Sequence, residues 1–132
     1  MTRCALVVLT QHLAICRLSR DEPVPAWVLQ QPFWSVTRTE EELSVVLPEE
    51  AAAIEWQTVA GWRCLQVCGP LDLSLTGVLA SIATPLAEAD IPIFAISTHH
   101  TDYVLVPGAY LERAIRALRA AGHEVRDQLI TC

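Results

Sequence analysis

Gly69–Val106, GPLDLSLTGVLASIATPLAEADIPIFAISTHHTDYVLV, is the stretch whose reading decides the fold. It divides into a polar-tinged loop, an apolar-periodic run, a β-branched run, a polar link and a second β-prone run. Leu75, Val78, Leu79, Ile82 and Leu86 recur at helical spacing and predict a helix over Ser74–Ala89. Asp72 or Ser74 is placed to cap it, since a side-chain oxygen there would satisfy an orphan N–H. Pro85 lies inside the run and is expected to kink the helix or split off its last turn. Ile91–Ser97 and Tyr103–Val106 read as strands around the polar link Thr98–Asp102. The loop and the link hold the polar side chains that apolar patterning leaves unexplained.

Working outward, Trp62–Cys68 (WRCLQVC) is a strand closed by Gly69-Pro70. Beyond Val106, Leu111, Ala114, Ile115 and Leu118 form the inward stripe of a helix over Ala109–Ala121. Glu112 and Arg116 stand on its outer face as an i,i+4 pair. Gly122 supplies a left-handed stop, and His123–Gln128 reads as a closing strand. The second half is therefore strand, helix, strand, strand, helix, strand. Toward the N-terminus, Ala5–Leu9 and Leu13–Leu18 read as two strands and Ala26–Gln31 as a short helix opened by Pro25. Phe33–Arg38 and Leu43–Leu47 make a hairpin, Glu49–Trp56 one or two helical turns, and Gln57–Gly61 the boundary between halves. VTRTEEELSVV (Val36–Val46) echoes ISTHHTDYVLV (Ile96–Val106) at an offset of sixty residues, pairing Glu42 with Asp102. The most economical reading is an α+β fold of two copies of one split βαββαβ unit. The expected units are a degenerate one at residues 1–61 and a complete one at residues 62–132.

Composition narrows the function. The 132 residues are 52% hydrophobic and 18% charged, rich enough for a core. A formal net charge of −6 argues against a phosphate-binding surface, so nucleic acid is not an expected partner. Ala5–Leu9 is too short to span a bilayer and no later apolar run is long enough, so no membrane association is expected either. The five cysteines, Cys4, Cys16, Cys64, Cys68 and Cys132, are an odd number without a CxxC pair. They are expected to be reduced packing thiols in a cytoplasmic protein.

The second half resembles the ACT domain, an amino-acid-binding regulatory fold, and is most similar to the small group that includes the CASTOR-type cytosolic arginine sensors and the regulatory ends of aspartate kinases. The residues that carry the resemblance are Gly69–Val106, with its STxxTDYxLV segment, and AIRALRAAGHEV (Ala114–Val125). FWSVTRTEEELSVVLPEE (Phe33–Glu50) resembles the matching piece of a preceding ACT unit. The resemblance implies ferredoxin-like ACT-type units in tandem, an antiparallel sheet with helices on one face, a small molecule held between ACT units, and regulation rather than catalysis. A lone sheet of this kind leaves edges to be paired, so a homodimer is expected. Carried over by position, the strand-to-helix loop is Leu71–Gly77 and the acidic residue of the turn is Asp102. The chain departs from the pattern at His99-His100, where related sequences usually carry an aromatic followed by a polar residue.

The residues suit an amino-acid ligand. N–H groups of Ser74–Gly77 at a helix start would favour a carboxylate. Gly77 permits close approach to the backbone, and the Ser74 and Thr76 hydroxyls add hydrogen bonds. Asp102 would accept from an ammonium or a cationic side chain. The expected binding set is Leu71, Asp72, Leu73, Ser74, Thr76, Gly77, Ile96, His100, Thr101 and Asp102. Plainer roles stand beside these: helix capping for Asp72 and Ser74, packing for Gly77, and bonding of its own turn backbone for Asp102. Adjacent histidines on an extended segment point to opposite sides, so no metal is expected at His99-His100. No cofactor is expected, and no GxSxG, P-loop lysine or GxGxxG marks an enzyme. A second reading is a protein–protein interaction module of the same fold with a vacant ligand site, to be favoured by exposed tryptophans.

Overall fold

The computed structural model describes residues 2–69 and 74–126. Its strands are β1 (Ala5–Leu18), β2 (Ser35–Arg38), β3 (Leu43–Pro48), β4 (Gln57–Val67), β5 (Phe94–Ser97), β6 (Asp102–Pro107) and β7 (Glu124–Arg126). Its α-helices are α1 (Val78–Glu88) and α2 (Leu111–Ala120), with short 3-10 segments at Ala26–Gln30, Glu49–Ala51 and Gly108–Tyr110. The chain divides into two compact units: Met1–Thr10 with Arg63–Cys132, and Gln11–Trp62. The division runs through β1 and β4. The break expected between Leu9 and Leu13 is absent, because Thr10 and His12 are exposed and a strand tolerates polar residues on a solvated side. Gln57–Gly61, expected as a boundary link, is the start of β4.

In the smaller unit β1 pairs antiparallel with β3, from Leu13↔Pro48 to Leu18↔Leu43. The expected hairpin of β2 and β3 forms in the register Ser35↔Val46 to Arg38↔Leu43. Thr39 closes its turn: the hydroxyl accepts from the N–H groups of Glu41 and Glu42 at 3.1 and 3.3 Å. Alternate residues Leu43, Val45 and Leu47 of β3 pack with Ala14, Cys16, Leu18 and Val28 into one core. Trp27 stacks on Trp56 with ring centroids 5.3 Å apart.

In the larger unit the elements follow the expected order β4, α1, β5, β6, α2, β7. The strand order is β7-β1-β4-β6-β5. The sheet is thus not wholly antiparallel: β7 lies parallel beside β1 (Ala5↔Glu124, Leu6↔Val125, Val7↔Arg126), and the first strand of the chain stands between β7 and β4. Leu6, Val8, Leu65, Val67, Val104 and Val106, alternate residues of three strands, share a core with Val78, Ile82 and Leu86 of α1 and Ala114 and Leu118 of α2. Both helices therefore cover the same sheet face. Truncating Ile82 or Leu118, each fully buried, would cost about 2–5 kcal/mol.

Pro85 does not split α1, which runs unbroken to Glu88. Proline has no N–H for the Ser81 carbonyl one turn back. His123 supplies the missing donor: its Nε2 lies 2.8 Å from that carbonyl oxygen, while its Nδ1 accepts the backbone N–H of Cys4 at 3.0 Å. The Cys4 N–H can only donate, so Nδ1 is the bare nitrogen and Nε2 carries the proton. One buried imidazole thereby ties the head of β1, the middle of α1 and the approach to β7. Both helices end in paired 6→1 and 5→2 hydrogen bonds. Gly122 takes the left-handed position after α2 and Asp90 the same position after α1, at φ 59°.

The thiol expectation fails at Cys68, which is disulfide-bonded; Cys4, Cys16 and Cys64 are free. The Glu112–Arg116 pair is not formed among the described residues; Arg113 lies instead over the Tyr110 ring, 4.6 Å from its centroid.

Candidate functional site

The end of β5 and the start of β6 meet at Ser97↔Asp102, and the four residues between them turn on Thr98. The Thr98 N–H and hydroxyl both donate to the Thr101 carbonyl, at 2.9 and 3.0 Å. The same hydroxyl oxygen accepts from the N–H groups of His100 and Thr101, at 3.3 and 3.2 Å. The turn is anchored to β4 by the buried Thr101 hydroxyl, which donates to the Val67 carbonyl at 2.6 Å. Gly69 packs against it so tightly that a Cβ there would stand 3.0 Å from the His100 carbonyl oxygen. These contacts give the turn one shape before any ligand arrives.

Opposite the turn stands the start of α1. The helix begins at Val78, four residues later than expected, and its N-cap is Gly77 in the left-handed region at φ 81°. Ser74 is not the N-cap, and Asp72 lies outside the described residues. Leu75 falls outside the helix and is exposed, although its spacing mimics a first inward position. No atom lies within 4 Å of a Cβ built on Gly77, so this glycine is required by its φ and not by packing. The helix-opening N–H groups are accordingly those of Val78, Leu79 and Ala80, which have no acceptor inside the helix.

A cavity of about 290 Å³ separates the two features. Of the expected set, Gly77, His100, Thr101 and Asp102 line it. Ser74, Thr76 and Ile96 do not. Ser74 and Thr76 are exposed on the approach to the helix, and strand alternation gives the cavity side to Ser97 and the other side to Ile96. Leu71, Asp72 and Leu73 lie outside the described residues. Val78, Leu79, Ala80, Ser97, Thr98 and His99 also line the cavity and were not anticipated. The signals that mark them are a glycine before an apolar run and a threonine three residues before a second threonine. Thr98, not Asp102, bonds the turn backbone, which leaves the half-buried Asp102 as the one carboxylate among the described residues of the cavity wall. Among the described residues, no three His, Cys, Asp or Glu side chains gather to hold a metal ion. None of the described helices is long and apolar enough to cross a membrane.

The larger unit is thus a sheet with two helices on one face and a carboxylate-bearing turn facing a helix start. The ACT domain family model matches residues 57–120, and a second model, for an N-terminal domain, matches residues 11–53. The chain is an ACT-domain protein, and it belongs to one family with protein Atu0741 from Agobacterium tumefaciens. That crystal structure is 35% identical, with a TM-score of 0.91 over 96% of this chain and 95% of the other. The human cytosolic arginine sensor for mTORC1 subunit 1 is 41% identical over 59 residues, 44% of this chain and 18% of that protein. The chain thus matches less than a fifth of that relative's length. The fold is also that of the ligand-free regulatory subunit of aspartate kinase from Thermus thermophilus, at TM-score 0.66 and 15% identity over 92% of this chain and 99% of the other.

Proposed function

We propose that the protein is a non-catalytic sensor or regulatory protein that binds an amino acid at the cavity between the Thr98–Thr101 turn and the start of α1. The observation that carries this is the opposition of the Asp102 carboxylate to the Val78–Ala80 end of α1 across one cavity. The helix end suits the ligand carboxylate and Asp102 suits its ammonium. The protein acts as a cytoplasmic homodimer with two units in each chain, and an ACT unit of the second copy closes the site over the ligand. Similarity to an arginine sensor and to aspartate kinase regulatory subunits supports the amino-acid class; His99 and His100 on the cavity wall set the selectivity within it. Binding shifts the placement of units or the dimer contact, as differential affinity requires.

A thermal-shift panel of the common amino acids tests this. A ligand at about a hundredfold over its dissociation constant adds roughly 2.7 kcal/mol, a rise of several degrees. Asp102→Asn should abolish that rise while leaving the unliganded melting temperature within about a degree, since Asp102 does not hold the turn. Absence of any shift across the panel would refute the reading.

One observation favours the alternative of an interaction module: Trp27 and Trp34 are 38% and 42% exposed, with Leu29 exposed beside Trp27 in sequence. On that reading Trp27→Ser and Trp34→Ser disrupt an assembly and no amino acid stabilises the chain.

A further inference from the structure

Cys68 is disulfide-bonded while Cys4, Cys16 and Cys64 are free, so among the described residues it is the one oxidised cysteine. Burial keeps two of the free thiols out of redox chemistry: desolvation raises the Cys16 thiol and pushes that of Cys64 up to about 12. Cys68 differs from both. It follows β4 directly and is half-buried, within reach of a small dithiol.

Its position ties it to the cavity. The peptide group that joins Val67 to Cys68 is pinned on both sides: its N–H donates to the Ala5 carbonyl at 2.8 Å, and its carbonyl accepts the Thr101 hydroxyl at 2.6 Å. On the other flank of Cys68, a Cβ on Gly69 would stand 3.0 Å from the His100 carbonyl oxygen and 3.2 Å from His100 Nε2 and from Thr101 Cβ. His100 and Thr101, both on the cavity wall, therefore rest on the two residues that flank Cys68. A covalent bond at Cys68 limits the movement of this segment, and close packing passes that limit to the turn. A turn already held in its binding shape has less ordering left to lose when a ligand arrives. Disulfides are rare in a reducing cytoplasm, and those that occur there are usually transient and redox-sensing.

We propose that Cys68 is a redox-modification site: its reversible disulfide holds the Thr98–Thr101 turn in its ligand-binding shape, and reduction loosens the turn and lowers affinity at the cavity. The proposal rests on the amino-acid reading of that cavity and on a cytoplasmic location. The reductant is a dithiol. Its thiolate attacks one sulfur of the bond to give a mixed disulfide, and its second thiol then displaces the protein sulfur and leaves as a cyclic disulfide. Two electrons and two protons pass to the two sulfurs of the original bond, and a low-molecular-weight disulfide such as oxidised glutathione takes them back.

The test begins without any ligand, on the ¹⁵N-labelled full chain before and after dithiothreitol. Reduction should shift the amides of Thr98, His100, Thr101 and Asp102 and leave those of Ala114–Leu118 in α2 in place; oxidised glutathione should restore the first spectrum. Cys68→Ser should show the reduced positions with no dithiothreitol present and give no further response to it. Thermal-shift titrations with the common amino acids are then run in both states, and those that bind should bind the oxidised chain at least about fivefold more tightly. Turn amides unmoved by reduction would overturn the proposal, as would labelling of native Cys68 by iodoacetamide before any reductant is added, or equal affinity in the two states. Turn amides that respond while no amino acid binds either state would sink the amino-acid reading and still support the redox site.

Discussion

The His123 bridge yields a prediction that separates it from ordinary core packing. His123→Ala removes the donor to the Ser81 carbonyl and the acceptor for the Cys4 N–H. Leaving a buried polar group unmade costs about 1–3 kcal/mol, so two such losses should lower stability by about 2–6 kcal/mol. Pro85→Ala restores an N–H one turn after Ser81, in reach of the same carbonyl. In that background His123→Ala should therefore cost about 1–3 kcal/mol less, because only the Cys4 N–H is orphaned. Urea denaturation of the four proteins, extrapolated linearly to water, measures the coupling. Additivity within about 0.5 kcal/mol would refute the idea that Pro85 and His123 share the Ser81 carbonyl. A loss under about 1 kcal/mol for His123→Ala alone would refute the bridge itself.

Two further outcomes can be checked on the same material. Asp90 holds a left-handed φ of 59° where the end of α2 uses Gly122, so Asp90→Gly should raise stability by about 0.5–1 kcal/mol, seen as a higher melting temperature. Cys64 is fully buried, and burial pushes its thiol from 9.0 up to about 12. Iodoacetamide at mildly alkaline pH should spare Cys64 in the native protein and modify it only on unfolding, as read by peptide mass spectrometry. Since the folded value is raised, Cys64 contributes stability that is complete below pH 9.0 and declines as pH rises toward 12. Native alkylation of Cys64 at the rate of a free peptide would contradict its burial.

Much of the larger unit was legible because its signals are local. The stripe Leu111, Ala114, Leu118 with Gly122 behind it marks α2 and its end, and the alternation of Leu43, Val45 and Leu47 marks β3. Errors arose where the deciding partner is distant or the rule is conformational. Leu75 extended the helical spacing backward, while a left-handed Gly77 forbids the extension. Pro85 looked like a break because its compensating donor, His123, lies far along the chain. At the candidate site Asp102 was legible as a carboxylate in a turn; Thr98 as the residue that shapes the turn was not, since a threonine hydroxyl has many local partners to choose from. The pairing of β7 with β1 has no local signature at all.

That pairing bears on how the chain must be made. Residues 5–7 emerge from the ribosome long before their neighbours, residues 124–126. Throughout synthesis, one edge of β1 waits for a strand that does not yet exist, and contacts of such long sequence separation form slowly. Excising residues 57–120 as a free-standing module would omit both strands, and with them Leu6, Val8 and Val125 of the core. The ACT domain that a family model outlines is therefore shorter than the object that folds.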